Sequence, residues 1–141
     1  MVCSGAVNQA ALEKFVNESI VDLLQPEILS QEDGRIEILY GVRPELTIGS
    51  GVVQGGIVAS MLDMAMAFSE NGNISTASLH VDILRPVTGE KLKVVGQVTR
   101  RGRRIVFIEA EMTNDEGQIV ARGRQTAVPL SKPPVAPEDS P

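Results

Sequence analysis

Several stretches of this chain alternate apolar and polar residues in regular periods, and one stretch is apolar with almost no period at all. In residues 6–24, Ala10, Leu12, Phe15, Val16, Ile20, Leu23 and Leu24 fall at near-helical spacing with Glu13, Lys14, Glu18 and Asp22 between them. This predicts an amphipathic helix ended by Pro26. Residues 35–42 (Arg-Ile-Glu-Ile-Leu-Tyr-Gly-Val) alternate after the Glu32-Asp33-Gly34 turn and predict a strand closed by Pro44. A Gly-rich loop, residues 48–54, then delivers the chain into residues 55–70, which are apolar on nearly every side of a helix and so belong inside a core.

After the Glu70-Asn71-Gly72-Asn73 turn come four predicted strands, residues 75–85, 91–100, 104–114 and 118–128. The first sets Ala77, Leu79, Val81 and Ile83 against Thr76, Ser78, His80 and Asp82, and stops at Pro86. The second puts Leu92, Val94 and Val98 on one face, the third Val106, Ile108, Ala110 and Met112, and Asn114-Asp115-Glu116-Gly117 turns the chain into the fourth. Three successive hairpin-like connections predict an antiparallel meander. A long buried helix between an early strand and such a run implies an α+β architecture: one domain over residues 1–130, an antiparallel sheet wrapped around a central helix, and an extra N-terminal helix. The open face and edges of that sheet predict dimerisation. Residues 131–141 are too rich in proline and polar residues to pack and are expected to form a disordered tail.

Composition narrows the partners. At 43% hydrophobic and 22% charged, the 141 residues suffice for one real core, built from aliphatic residues because aromatics are only 3%. The same scarcity removes the stacking platforms that nucleic acid needs, and a net charge of −5 argues against a polyanion as general partner. One cysteine, Cys3, excludes an internal disulfide and a Cys-based metal site, and one histidine, His80, without clustered acids gives no metal site either. No apolar run reaches membrane-span length and no secretory signal opens the chain, so a cytoplasmic protein is expected.

The candidate chemistry lies in the central helix. Asp63 is a carboxylate in the middle of an apolar helix, where lost hydration costs several kcal/mol unless a partner or a task offsets it. Gly55 and Gly56 open that helix, and free N–H groups at a helix start can point at a developing negative charge. An acid and an anion hole together suggest acyl transfer.

With these residues in view, the chain resembles the hot-dog fold acyl-CoA thioesterases of the phenylacetate-degradation type, within the 4-hydroxybenzoyl-CoA thioesterase-like superfamily. The resemblance covers residues 35–130. The family pattern N-x-x-G-x-x-H-G-G, an acid nine residues after the His and a later strand ending in Arg-Pro or Ser-Pro are matched by Ile48-Gly-Ser-Gly51-Val-Val-Gln54-Gly55-Gly56, Asp63 and Leu84-Arg85-Pro86. Gln54 replaces the common His and Ile48 the common Asn. Glutamine still donates a hydrogen bond but exchanges no proton near neutral pH, so the acid–base work falls to Asp63.

The resemblance implies that the Gly55 amide polarises a thioester carbonyl, with Gln54 beside it, that Asp63 acts as base or nucleophile, and that Thr76 orients a water. Were Gly55 that donor, Asp63 would lie eight residues on, about 12 Å along the helix axis, too far for one helix to serve one carbonyl. Two subunits would then share each site, in a homodimer or a dimer of dimers. Met61, Met64 and Met66 are mostly core filler whose flexible side chains could also line an acyl pocket. Gly56, Met61 and Met66 are the candidate substrate contacts, and Arg85, Arg101, Arg103 and Arg104 candidate grips for the phosphates of coenzyme A, which enters as part of the substrate and not as a cofactor. A hot-dog hydratase or dehydratase and a non-catalytic acyl-CoA-binding module are the alternatives. The buried acid nine residues after Gln54 favours the thioesterase over both.

Overall fold

The computed structural model describes residues 19–130. Of the N-terminal helix expected over residues 6–24, only the last turn falls among them, and the tail expected over residues 131–141 falls outside them. The described elements run α1 (Ile20–Leu24), β1 (Glu27–Glu32), β2 (Arg35–Gly41), a 3-10 turn (Pro44–Leu46), α2 (Gly55–Phe68), β3 (Ile74–Ile83), β4 (Lys91–Arg101), β5 (Val106–Thr113) and β6 (Ile119–Pro129). Six antiparallel strands form one sheet in the order β1-β2-β4-β5-β6-β3, and α2 lies across its inner face. None of the described helices is long and apolar enough to cross a membrane.

Strand periodicity builds the core. Ile36, Ile38 and Tyr40 of β2, Leu92 and Val94 of β4, Val106, Ile108, Ala110 and Met112 of β5, and Ala121 and Ala127 of β6 point inward and are buried against Val58, Met61, Leu62, Ala65 and Met66 of α2. The Tyr40 hydroxyl reaches the helix and donates to the Met61 carbonyl at 2.8 Å. Both ends of α2 are also tied down. Gln54 caps its start, Gln31 of β1 donates to the Phe68 carbonyl at its end, and Arg101 holds Glu70 just beyond.

Two expectations need correction. The four later strands are not a simple meander: β4, β5 and β6 are joined by hairpins, but β3 pairs with β6 and not with β4. Pro86 ends β3, and the chain passes through buried Val87, whose carbonyl accepts from Val53 N–H, before returning as β4 on the far side of β6 and β5. The second correction is β1. Glu27–Glu32, between Pro26 and the Glu32-Asp33-Gly34 turn, alternates too weakly to predict an element, yet it pairs with β2 and forms the other sheet edge.

Gly96 sets the distance between helix and sheet. A Cβ there would sit 2.7 Å from the Ala65 carbonyl oxygen and 2.9 Å from its carbon, both backbone atoms of α2. Gly96→Ala is therefore expected to push α2 off the sheet and to cost about 1–3 kcal/mol, read as a lower urea midpoint.

Candidate active site

The start of α2 is fixed by backbone pairing before it is capped by a side chain. Thr47 bridges Val53, Val53 N–H donates to Val87 O, and Gln54 N–H donates to Leu46 O, so the Gly-rich loop presents Gln54 with extended dihedrals (φ −63°, ψ 139°) directly ahead of the helix. The Gln54 Oε1 accepts the Ile57 N–H at 3.0 Å. That bond uses the acceptor of the carboxamide, and its NH2 group donates to no partner among the described residues. Gly56 makes room for it, since a Cβ there would meet Gln54 Oε1 at 2.9 Å. The amides of Gly55 and Gly56 have no hydrogen-bond partner among the described residues, and both glycines are exposed.

Asp63 lies two turns on, at the seam between α2 and the β6–β3 edge. Its Oδ1 accepts from Gln125 Nε2 of β6 at 2.7 Å and from the Thr76 hydroxyl of β3 at 3.4 Å. Its Oδ2 receives no hydrogen bond among the described residues. Burial pushes the Asp63 carboxyl above the usual carboxylate range, and the bonds from Gln125 and Thr76 partly oppose that rise.

Beside Asp63 opens an apolar cavity of about 210 Å³, lined by Ile20 and Val21 of α1 and by Ser60, Met64, Ala67 and Phe68 of α2. Residues 60, 63/64 and 67 are successive turns of one helix face, the one turned away from the sheet. The short helix α1 lies over this face, capped by Ser19, whose hydroxyl accepts Val21 N–H, and held by Arg43, which donates to the Leu23 carbonyl.

The structure thus brings Asp63 and Thr76 together and sets Gln54, Gly55 and Gly56 at the far end of the same helix. Met61 and Met66, expected to contact substrate, are fully buried in the single chain and fill the core beneath α2; it is Met64 that lines the cavity. Arg101, expected among the phosphate ligands, is bound bidentately to Glu70 at 2.9 and 2.7 Å and reaches Asp33 at 3.4 Å. Arg85, Arg103 and Arg104 are exposed and carry no ion pair among the described residues. His80 sits on the outer sheet face, 3.2 Å from Asp82, in a wide groove whose other charges include the pair Arg122–Glu111.

Sequence reasoning missed Gln125 and the contribution of α1. The signal for Gln125 was present: a polar residue at an inward position between Gly123 and Ala127. No clustered set of His, Cys, Asp and Glu that could hold a metal occurs among the described residues.

Comparison with known proteins places these features in a family. The family model described as the acyl-CoA thioesterase N-terminal domain matches residues 42–128. Acyl-coenzyme A thioesterase PaaI of Escherichia coli strain K12 is 27% identical over 117 residues, 80% of this chain and 84% of that protein. The solved structure of the E. coli PaaI protein from the phenylacetic acid degradation operon superposes with a TM-score of 0.78 at 23% identity, covering 92% of this chain and 97% of that one. A thioesterase family protein from Silicibacter pomeroyi superposes with a TM-score of 0.77 at 22% identity over 89% and 98% of the two chains.

The raised Asp63 pKa has a consequence for stability. A carboxyl that binds its proton more tightly in the folded chain destabilises the fold when ionised, and that penalty fades as pH falls through the folded-state pKa to below the unfolded one. Asp63→Asn keeps an acceptor for Gln125 and carries no charge. It is expected to unfold at higher urea than wild type near neutral pH, with the difference closing as the pH approaches the ordinary carboxylate range of about 4.

Proposed function

Given that the chain belongs to the acyl-CoA thioesterase family, carries the hot-dog fold and hydrolyses acyl-CoA thioesters, we propose that Asp63 is the general base and that the Gly55 N–H of a partner subunit stabilises the oxyanion. The observation that carries this reading is the state of Asp63: half-buried at the mouth of an apolar cavity, with Oδ1 held by the Gln125 carboxamide, the Thr76 hydroxyl 3.4 Å away, and Oδ2 unengaged. A water accepted between Oδ2 and the Thr76 oxygen loses its proton to Oδ2 as its oxygen attacks the thioester carbonyl. The negative charge forming on the carbonyl oxygen is met by the free Gly55 amide at the positive end of α2, and the NH2 of Gln54 adds a second donor. When the tetrahedral intermediate collapses, the carbon–sulfur bond breaks and the thiolate of coenzyme A takes the proton from Asp63. One thioester and one water become one acid and one thiol.

Two subunits are required because Gly55 and Asp63 stand about 12 Å apart along one helix. Support for a paired assembly comes from β3, an edge strand whose Leu79 and Ile83 are 42% and 44% exposed in the single chain. The acyl group is aryl or medium-chain. An apolar cavity of about 150 Å³ takes benzene, so one of about 210 Å³ beside Asp63 suits a ring or a short alkyl chain better than a long fatty tail.

Thiol release from benzoyl-, phenylacetyl- and hexanoyl-CoA tests the reading. Asp63→Asn is expected to lower kcat by about 10²–10⁴ while remaining folded. Gly55→Pro isolates the other half of the site, because proline is tolerated at the first helical position, Gln54 already has the extended backbone that precedes proline, and only the N–H is lost. A drop in kcat of about 10²–10³ is expected. Wild-type turnover in either variant would overturn the corresponding assignment.

A further inference from the structure

Besides the Tyr40 phenol, two polar side chains are buried among the described residues, Ser69 and Gln125. Ser69 donates to Met66 O in the last turn of α2, an ordinary use of a helix-end hydroxyl. Gln125 is different. It stands mid-strand on the inner face of β6, with 3% of its surface exposed, where the flanking inward residues are Gly123 and Ala127. A buried carboxamide in such a place costs stability unless both of its ends are satisfied. Both are: Nε2 donates to Asp63 Oδ1 at 2.7 Å, and Oε1 accepts from the Thr76 hydroxyl at 3.2 Å.

Thr76 reaches this partner through a break in the strand. The pairing of β3 with β6 shifts between Thr76 and Ser78, where Thr76 opposes Ala127 and Ser78 opposes Thr126. In a regular strand residues 76 and 78 would share a face. Here Ala77 is the extra residue of a β-bulge, so Ser78, His80 and Asp82 turn outward while Thr76 turns in toward Asp63.

Resting on the assignment of Asp63 as base, we infer that Gln125 is a positioning residue for this reaction. It holds Oδ1 so that Oδ2 is presented to the cavity, and by accepting the Thr76 proton it leaves the Thr76 oxygen lone pairs available to a water. The Thr76 hydroxyl has one proton, and the shorter of its two contacts is to Gln125. The Gln125 bond also favours the ionised carboxylate, against the effect of burial. Around Asp63, α1 presents Ile20 and Val21, β3 presents Thr76, β6 presents Gln125, and the Tyr40 phenol of β2 is kept protonated by burial and by the Asp63 charge.

The test compares Gln125→Leu and Gln125→Glu with wild type and with Asp63→Asn, each checked for an intact fold by thermal melting. For Gln125→Leu, kcat is expected to fall about 10- to 100-fold with KM within about twofold, and the acid limb of the pH–rate profile to move to higher pH. Gln125→Glu is expected to move that limb further, because a second carboxyl beside Asp63 shares its proton. On an Asp63→Asn background, Gln125→Leu is expected to leave the residual rate unchanged. Folded Gln125 variants with wild-type kcat and an unmoved acid limb, beside an inactive Asp63→Asn, would overturn the role of Gln125 and leave the Asp63 assignment standing. Full turnover in Asp63→Asn itself would remove the base assignment first.

Discussion

The closeness of α2 to the sheet is the constraint from which the rest of this molecule follows. Where the helix crosses β4 there is no room for a side chain at residue 96, and the Tyr40 hydroxyl spans the remaining gap to the Met61 carbonyl. A helix held this tightly presents one fixed set of faces. Val58, Met61, Leu62, Ala65 and Met66 are committed to the core, and Ser60, Asp63 and Ala67 must then face the other way. The position of the carboxylate is thus set by packing that takes no part in its chemistry.

The same constraint separates the two halves of the proposed site. A helix pinned at Gln54 and again near Glu70 cannot bend its free amides back to its own carboxylate. Its first turn offers unpaired N–H groups and its middle offers an acid, with a span of two helical turns between them. The exposed apolar residues of β3 lie on the edge that a second copy would cover. In this reading association completes the reaction centre and covers that edge at once.

Much of this was legible in the chain, and the reasons for the gaps are local. The strand alternation in β4 and β5 was clear because each strand buries one face only, and the central helix declared itself by having too few polar positions to be exposed. Strand order was not legible, because nothing in residues 75–85 distinguishes pairing with the next strand from pairing with the last; the deciding feature is the crossing through Pro86 and Val87. Asp63 and Thr76 could be singled out, but their contact depends on a bulge that a strict alternation of Ala77, Leu79, Val81 and Ile83 conceals. Methionine suits a core and a ligand pocket equally, and only the helix rotation gives Met61 and Met66 to the core and Met64 to the cavity. Arg101 looked like one of four equivalent arginines until β1 and the end of α2 brought Asp33 and Glu70 beside it.

Under the proposed mechanism, the bulge at Ala77 ties the parity of β3 to the reaction. Strand faces are assigned by counting, so the loss or gain of a single residue between Thr76 and Ser78 would exchange inside for outside on one side of the change without altering any side chain. This strand is accordingly fragile to length. Among descendants of this sequence, drift in β3 should proceed by replacement, and an altered residue count there would mark a lineage that had given up its chemistry while keeping its fold.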